Sequence, residues 1–317
     1  MKTNTNKRSR SPIGWLKTYS GQKFFTTILF LMIPLVLLVV FTFIPAFNMI
    51  RYSFQERDQF GFDAKYVGLD NYKTVFTNPD YFVTLKNSMY YLCGSVIQLA
   101  TALLIACVLC SKIRCKNLFK GILFFPYLMN GVAVSLIFRR FYQKGDGIIT
   151  QDGTLNSIIT ALGGTSVAFL KDPVMANICL VFASMWKYIG FDIIMLIGAI
   201  MSINQDIYEA SYLDGANGWQ RFRYIIFPSI KPIISLQLIL SIKGAFSVFE
   251  IPYIITGGKL GTSTFVIKTI ETAFVYKKVG LASALAVVLL IIIIAVTILQ
   301  KLLFRDSDID KGGRRRK

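Results

Sequence analysis

The chain has 317 residues, of which 54% are hydrophobic and only 16% charged, with a net charge of +18. Its mean hydropathy of +0.55 implies more apolar surface than one soluble core can bury, so the composition indicates a membrane protein. The absence of histidine removes Ser-His-Asp and Cys-His nucleophiles and the commonest zinc ligand, so we expect neither an enzyme nor a metal site.

A helix that crosses a membrane needs about 20 predominantly apolar residues, and six segments of the sequence are close to this length or longer. They are Phe24–Phe47, Met89–Cys110, Gly121–Phe138, Val174–Ile203, Pro232–Thr256 and Leu281–Gln300. The first is too long for a signal-peptide core and lacks a small-residue cleavage site, so we expect it to be retained. We predict an all-α polytopic membrane protein with six transmembrane helices within residues 24–304.

The charges that flank these segments predict their orientation. Basic residues without any acid occupy residues 1–23 and 112–120, whereas five acids offset four basic residues in the loop 48–82. Because short cytoplasmic segments are enriched in Lys and Arg, we place residues 1–23 and the basic tail 305–317 in the cytoplasm and the loop 48–82 outside. Topology and contact with membrane lipid explain the basic clusters, so we expect no binding to nucleic acid.

The cysteines predict no disulfide framework and no redox site. Cys107 and Cys110 form a C-x-x-C pair, but they lie inside an uninterrupted apolar run with no second pair. We therefore expect both side chains to pack as small hydrophobic groups.

The loop 204–231, between the fourth and fifth predicted spans, has a strong local pattern. Its first part has helical spacing at Ile207, Ala210, Ser211 and Asp214. Glu209 lies in the first turn, where an acid is favoured, and Gly215 allows a left-handed stop. The same spacing follows at Trp219, Phe222 and Ile226. This pattern predicts a second short amphipathic helix before Pro228 and Pro232 open the fifth span.

The loop also carries a recognisable set of residues: Glu209-Ala210, Asp214-Gly215-Ala216, Gln220, Phe222 and Pro228. This set resembles the EAA loop of binding-protein-dependent ABC importer permeases, and the resemblance is closest to the carbohydrate-type permeases of the maltose and glycerol-phosphate systems. It extends over nearly the whole chain through the blocks Val67 to Tyr72, Trp186, and Thr256-Gly257-Gly258. The resemblance implies a type I ABC importer permease fold with cytoplasmic coupling helices in a bacterial plasma membrane.

The resemblance further implies how the loop works. The helix around Glu209 and Ala210 would dock on a separate nucleotide-binding ATPase, with Asp214 and Gly215 forming the turn that fits it there. The alternative is an exposed connecting helix without a partner, which would leave aromatic surface uncovered. The chain has no Walker A motif, since Gly258-Lys259 is followed by leucine. ATP and Mg²⁺ would therefore be bound by the partner, and we expect no cofactor in this chain.

The implied assembly has several further partners. They are a second homologous permease subunit that makes a heterodimer, two nucleotide-binding subunits, and a solute-binding protein that is extracellular or lipid-anchored. The implied function is import of a sugar, of di- or oligosaccharide size, at the expense of ATP.

Charged residues in the fourth and fifth spans suggest where the solute passes, because Lys187 lies roughly 20 Å from either helix end and is expensive in lipid. Polar and aromatic residues share helical faces with these charges, as sugar binding requires. In the resembled maltose system the same two helices contact the sugar. By position this implies Ser184, Lys187, Tyr188 and Phe191 on the fourth span, with Lys243, Gly244, Ser247 and Glu250 on the fifth.

The sequence leaves alternatives open for the role of these charges and for the function of the chain. The charges could instead form ion pairs between Lys187 and Asp192 and between Lys243 and Glu250. The lysines also admit an acidic sugar. The solute could be something other than a sugar, or the chain could be an ion-coupled secondary transporter or channel, although we find no internal repeat typical of such carriers. A membrane scaffold without transport is disfavoured by the charges at mid-membrane.

Overall fold

The computed structural model describes residues 19–57, 60, 64–111, 113–145 and 151–303. Most of the predicted N-terminal segment 1–23, part of the loop 48–82 and the basic tail 305–317 lie outside the described residues. The predictions for these basic segments are therefore not addressed by the structure.

The described residues of the first half of the chain form seven helices and one small hairpin. Its elements are α1 (Tyr19–Leu38), a π-helical turn (Val39–Phe43), α2 (Ile44–Ser53), β1 (Gln55–Glu56), β2 (Lys65–Tyr66), α3 (Asp70–Thr77), α4 (Pro79–Cys110), α5 (Lys116–Leu128), α6 (Gly131–Tyr142) and α7 (Thr154–Ala161). The two strands pair antiparallel, with Gln55 opposite Tyr66.

All the regular elements described in the second half of the chain are helices or helical turns. They are α8 (Pro173–Met201), α9 (Gln205–Leu213), α10 (Gly218–Arg221), a π-helical turn (Phe222–Ile226), α11 (Phe227–Ser247), α12 (Glu250–Thr256), α13 (Phe265–Ile270), a further π-helical turn (Glu271–Val275) and α14 (Val279–Leu303). The long helices α4 and α8 begin alike, since Asn78 and Asp172 cap them and a proline follows each cap.

Five helical runs of the described chain are long and apolar enough to cross a membrane, and a bent pair makes a sixth crossing if it counts as one span. The runs are Gln22–Ser53, Pro79–Cys110, Pro173–Met201, Gly218–Thr256 and Val279–Leu302. The predicted all-α, multi-span fold class is confirmed. None of the most apolar part of the first run is buried within the chain, so this surface suits lipid or another subunit.

The third predicted span, Gly121–Phe138, is not one helix. Helices α5 and α6 meet at 95° around Met129 and Asn130. Asn130 adopts an extended conformation and its side chain accepts a hydrogen bond from the Val132 N–H at 2.8 Å, so it caps a new helix instead of continuing the old one. Pro126 lies two residues before the end of α5 and adds to the break.

The fifth predicted span, Pro232–Thr256, also differs from the expectation at both ends. The helix stops at Ser247 and restarts at Glu250, so these two residues do not lie on one continuous helical face. At its start, α10 runs through a π-helical turn directly into α11. Phe227 N–H bonds Phe222 O in this wide turn, which accommodates the following proline. The second short helix that we predicted is present from Gly218, but it does not end before Pro228, because it continues into the fifth span.

Helix α8 lies at the centre of the fold, against α4, α5 and α11. One buried cluster joins α4, α8 and α11 through residues such as Leu99, Ile193 and Ile234. A second joins α4, α6, α8 and α12 around Tyr91 and Leu180. Gly190 permits the close contact of α8 with α5, because a Cβ there would stand 2.1 Å from the carbonyl oxygen of Leu123.

The segment between α6 and α8 is organised by local hydrogen bonds. The Gly145 N–H and the Ser166 hydroxyl donate to Asp152 Oδ1 at 2.7 and 3.0 Å. These two donors, led by the backbone N–H, lower the pKa of Asp152 from its ordinary value of 3.8. The Asn156 amide crosslinks the same segment by donating to the carbonyls of Gln143 and Val167.

Candidate functional site

A cavity of about 610 Å³ opens between α4, α5, α8, α11 and α12. Six of the residues predicted to contact the solute line it: Ser184, Tyr188, Phe191, Gly244, Ser247 and Glu250. Helix α8 supplies the first three and the broken α11–α12 segment supplies the others. The structure therefore brings most of the predicted residues of the fourth and fifth spans to one space.

One wall of the cavity is aromatic. The rings of Tyr127 and Phe191 stack with centroids 5.1 Å apart, and Tyr188 meets Tyr127 edge-on at 6.3 Å. Tyr127 comes from α5, the helix that ends at the bend. Such ring faces offer flat apolar surface beside hydroxyl groups, which matches the two kinds of surface on a sugar.

Lys187 lies beside this cavity but does not line it. Its ammonium lies 3.8 Å from Glu250 Oε2 and 5.2 Å from the centroid of the Tyr188 ring. The Lys187 side chain is 9% exposed and that of Glu250 is 51% exposed, so the carboxylate of the pair faces the open space. The predicted alternative pairing of Lys187 with Asp192 is wrong.

The same ion pair lies where two helices are broken. Glu250 is the first residue of α12, and a Cβ on Gly131, the first residue of α6, would overlap the Glu250 carboxylate and lie 2.8 Å from Lys187 Nζ. A glycine is therefore needed for the charged groups to approach the start of α6, where the helix end favours a negative charge.

Asp192 is the centre of a separate polar group. Gln98 Nε2 donates to Asp192 Oδ2 at 2.6 Å, and Gln237 Nε2 contacts the Asp192 carbonyl and Oδ1 at 3.0 and 3.3 Å. These bonds tie α4, α8 and α11 together, and both Gln98 and Asp192 line the cavity. Neither glutamine was predicted to belong to the site, although polar residues inside apolar spans are a usable signal.

Lys243 does not join the cavity. It is exposed on α11 and absent from the cavity lining, while its neighbour Gly244 lines it. The predicted pairing of Lys243 with Glu250 is likewise not what the structure has, since the carboxylate contacts Lys187. The break after Ser247 explains the difference, because the helical spacing that linked residues 243 and 250 does not continue through it.

The segment around Glu209 forms a short helix and a tight turn, as its pattern predicts, but the acid in the first turn of α9 is Asp206 and not Glu209. Helix α9 ends in a pair of hydrogen bonds from Gly215 N–H to Tyr212 O and from Ala216 N–H to Ser211 O. Gly215 has a φ of +71°, which is the left-handed stop of a Schellman motif. Asn217 and Gln220 then form a reciprocal capping box that starts α10.

The surface of this segment is rich in exposed aromatic and polar groups. Glu209 and Ala210 are exposed, and Glu209 accepts a hydrogen bond from Gln205 Nε2 at 3.1 Å. The Arg221 guanidinium lies 3.9 Å above the ring of Tyr212 and holds the two sides of the turn together. A further aromatic residue, Trp219, is 69% exposed. Ordered but uncovered aromatic surface of this kind is typical of a binding site for another protein.

Among the residues that the structure describes, no group of three or more Cys, Asp or Glu side chains could hold a metal ion. Cys107 is half-buried and Cys110 is exposed at the end of α4. The arrangement as a whole combines a polar cavity within the spans and an exposed turn at the Met201 end of α8.

The sequence matches the family described as "Binding-protein-dependent transport system inner membrane component" over residues 98–308, which is more than half of the chain. GgtC, an osmoprotective compounds uptake permease protein of Synechocystis, is 32% identical and covers 83% of this chain and 93% of its own length. MsmF, a multiple sugar-binding transport system permease protein of Streptococcus mutans, is 29% identical and covers 86% of this chain and 92% of its own length.

The fold is also similar to that of a solved structure. A chain in the crystal structure of a bacterial ABC transporter involved in the import of the acidic polysaccharide alginate superposes with a TM-score of 0.78. The alignment covers 90% of this chain and 97% of that one at 20% sequence identity. The predicted importer-permease fold is therefore confirmed.

Proposed function

The chain belongs to the family of binding-protein-dependent transport system inner membrane components, and we propose that it passes a sugar of di- or oligosaccharide size through an ATP-driven importer. The observation that carries the proposal is the cavity between α4, α8 and α11, where hydroxyl, amide, carboxylate and aromatic groups meet inside apolar spans. Sugars need this combination of groups. The sugar-transport name of MsmF supports the same solute class.

The solute-contacting residues in this proposal are Ser184, Tyr188, Phe191, Gly244, Ser247 and Glu250. Lys187 acts through Glu250 by holding its carboxylate at the cavity wall, as their separation of 3.8 Å supports. A lysine buried at mid-span without any counter-charge would be costly, so this pairing also explains how Lys187 is tolerated.

We further propose that α9 and the turn after it couple the chain to a separate ATPase. Glu209 and Ala210 provide the exposed surface of the helix, and Asp214 and Gly215 form the turn that orients it. The exposed Trp219 beside this turn supports a protein partner. ATP and Mg²⁺ are held by that partner, which hydrolyses the nucleotide.

The proposed assembly contains this chain, a second permease subunit, two ATPase subunits and an extracellular or lipid-anchored solute-binding protein. Both termini face the cytoplasm, which agrees with the basic residues in 1–23 and 305–317. The uncovered apolar surface of α1 is available for lipid and for the second permease.

The pathway is tested by plugging the cavity. Gly244 lines the cavity and no atom lies within 4 Å of a Cβ built there, so Gly244→Trp should fit without disturbing the fold and should block uptake. Lys243→Trp places the same side chain on the adjacent, exposed residue and is the matched control. We expect uptake of labelled oligosaccharide by the reconstituted importer to be lost only in Gly244→Trp. Equal uptake in both variants would contradict the pathway.

A second solute class is favoured by one observation, the similarity to GgtC, whose name describes uptake of osmoprotective compounds. Substrate-stimulated ATPase activity of the assembled importer, measured across neutral oligosaccharides and small osmoprotective solutes, separates the two classes. Stimulation only by the small solutes would replace the sugar proposal.

A further inference from the structure

The charged groups that face the cavity have one sign. Of the described residues that line it, Asp192 and Glu250 are carboxylates and none is lysine or arginine. Lys243, which precedes the lining residue Gly244, is exposed on α11 and does not line the cavity. The charge lining the open space is therefore negative.

Lys187 does not reverse this sign. Its side chain is 9% exposed, against 51% for Glu250, and its ammonium is directed toward the backbone at Gly131. Because about half of the Glu250 side chain is exposed, its carboxylate still faces the open space while it contacts the Lys187 ammonium at 3.8 Å. The Lys187 ammonium is therefore buried behind the cavity lining, and the Glu250 carboxylate is part of the lining.

Asp192 is held by neutral groups. Both glutamine amides near it act as donors, Gln98 Nε2 to Oδ2 and Gln237 Nε2 to Oδ1. No ion pair to Asp192 is found in the part of the chain that the structure describes.

We propose that this cavity selects by charge, so that it admits neutral or cationic hydroxyl-rich solutes and excludes anionic ones such as uronate or phosphate sugars. The inference rests on the proposed function, since it takes the cavity as the solute path. Clefts lined by one sign of charge with low-dielectric walls concentrate ions of the opposite sign and repel ions of the same sign. The two carboxylates act here as specificity-determining residues.

The sign of the cavity can be measured without knowing the solute. Ser247 is exposed and lines the cavity, so Ser247→Cys is introduced into this chain after the five native cysteines of the chain are replaced, and the importer is then assembled. In membrane vesicles the introduced thiol reacts either with a cationic reagent, trimethylammonium-ethyl methanethiosulfonate, or with an anionic one, sulfonato-ethyl methanethiosulfonate. The ratio of the two rate constants is divided by the same ratio for a small free thiol.

We expect the normalised cation-to-anion ratio to be on the order of tenfold and to fall toward unity in Glu250→Gln and Asp192→Asn. Lys243→Gln also removes one charge from the chain but lies outside the lining, so the ratio should stay unchanged. A ratio at or below unity, or an equal change in the lysine control, would overturn the inference. If Glu250→Gln or Asp192→Asn fails to assemble, the inference is tested by the ratio in the variant that does assemble, compared with the ratio in the parent.

The outcome separates this inference from the proposed function. A cation-selective ratio in an importer that moves no sugar would leave the charge of the cavity established and remove the sugar proposal. If the importer moves neutral oligosaccharides but the normalised cation-to-anion ratio is at or below unity, the sugar proposal stands and the charge inference is removed. Uptake of a uronate oligosaccharide as fast as a neutral one of equal length would also overturn charge selection.

Discussion

Replacing Gly215 by alanine tests whether the turn after α9 orients the surface that binds the ATPase. Gly215 has a φ of +71° and no atom lies within 4 Å of a Cβ built there. A methyl group therefore meets no neighbour, and its effect is confined to backbone strain. The left-handed conformation costs an L-residue about 1 to 2 kcal/mol.

The magnitude of the functional effect follows from this strain. If docking requires the turn and the strain is released when α9 is undocked, the apparent Kd for the ATPase subunit rises by about 5- to 30-fold. Asparagine tolerates the left-handed region better than alanine, so Gly215→Asn should lie between the parent and Gly215→Ala. Membrane insertion should not change, since the turn lies outside the spans.

The assay is titration of purified ATPase subunit onto the permease heterodimer in nanodiscs, together with substrate-stimulated ATPase activity. Gly218→Ala is the matched control, because Gly218 also has open space around a Cβ but lies in the first turn of α10 without a positive φ. We expect it to bind within about twofold of the parent. An unchanged affinity in Gly215→Ala, or an equal loss in Gly218→Ala, would refute the role of the turn.

Three further predictions concern the structure around the cavity and the loop beside it. Gly190→Ala places a methyl group against a backbone carbonyl of α5. We expect this to destabilise the purified complex by about 1 to 3 kcal/mol and to lower its thermal midpoint. Gly198→Ala on the same helix should not lower the midpoint, because no atom lies within 4 Å of a Cβ built at Gly198. Asp192→Ala leaves the Gln98 amide without its acceptor, whereas Gln237 Nε2 keeps the backbone carbonyl of residue 192, so the change should destabilise by about 1 to 3 kcal/mol. Asp192→Asn keeps a side-chain acceptor and should cost less in the same thermal assay. The pKa of Asp152 is lowered from 3.8 in the folded chain, so its stabilisation is present above pH 3.8 and is lost as the pH falls through the folded pKa. The amide protection factors of residues 151–171, which correct for the intrinsic slowing of exchange in acid, should therefore fall in acid in the parent and lose this pH dependence in Asp152→Asn.

The elements that the sequence predicted well have local determinants. The predicted span Val174–Ile203 corresponds closely to α8, because a cap at Asp172 and a proline after it define its start. The stop at Gly215 was predictable for the same reason, since only a few residue types accept a positive φ. Such features can be read from a few consecutive residues.

The bend between α5 and α6 was not predicted, because the mean hydropathy of a segment does not show whether the segment is one straight helix or two. Residues 121–138 carry no charge, so their hydropathy suggested one span. The local signal was Asn130, a good cap, following Pro126 by four residues. The break after Ser247 was also missed, and it takes Glu250 off the helical face that it would otherwise share with Lys243.

The partners of the buried charges could not be predicted from periodicity. Lys187 pairs with Glu250 from α12, across the bend near Gly131, and Asp192 pairs with side chains from α4 and α11. These contacts depend on how four helices pack, whereas helical spacing describes only one helix at a time. The nearest opposite charge along the sequence was therefore the wrong partner in both cases.

The most direct test of the coupling between this chain and an ATPase is uptake of oligosaccharide by the full importer in proteoliposomes, with ATP present or absent, for the parent, Glu209→Gln and Glu209→Lys. We predict uptake that depends entirely on ATP in the parent, is reduced in Glu209→Gln and is abolished in Glu209→Lys, while the amount of inserted permease stays constant. Uptake that persists without ATP, or that is undiminished in Glu209→Lys, would contradict the proposed coupling.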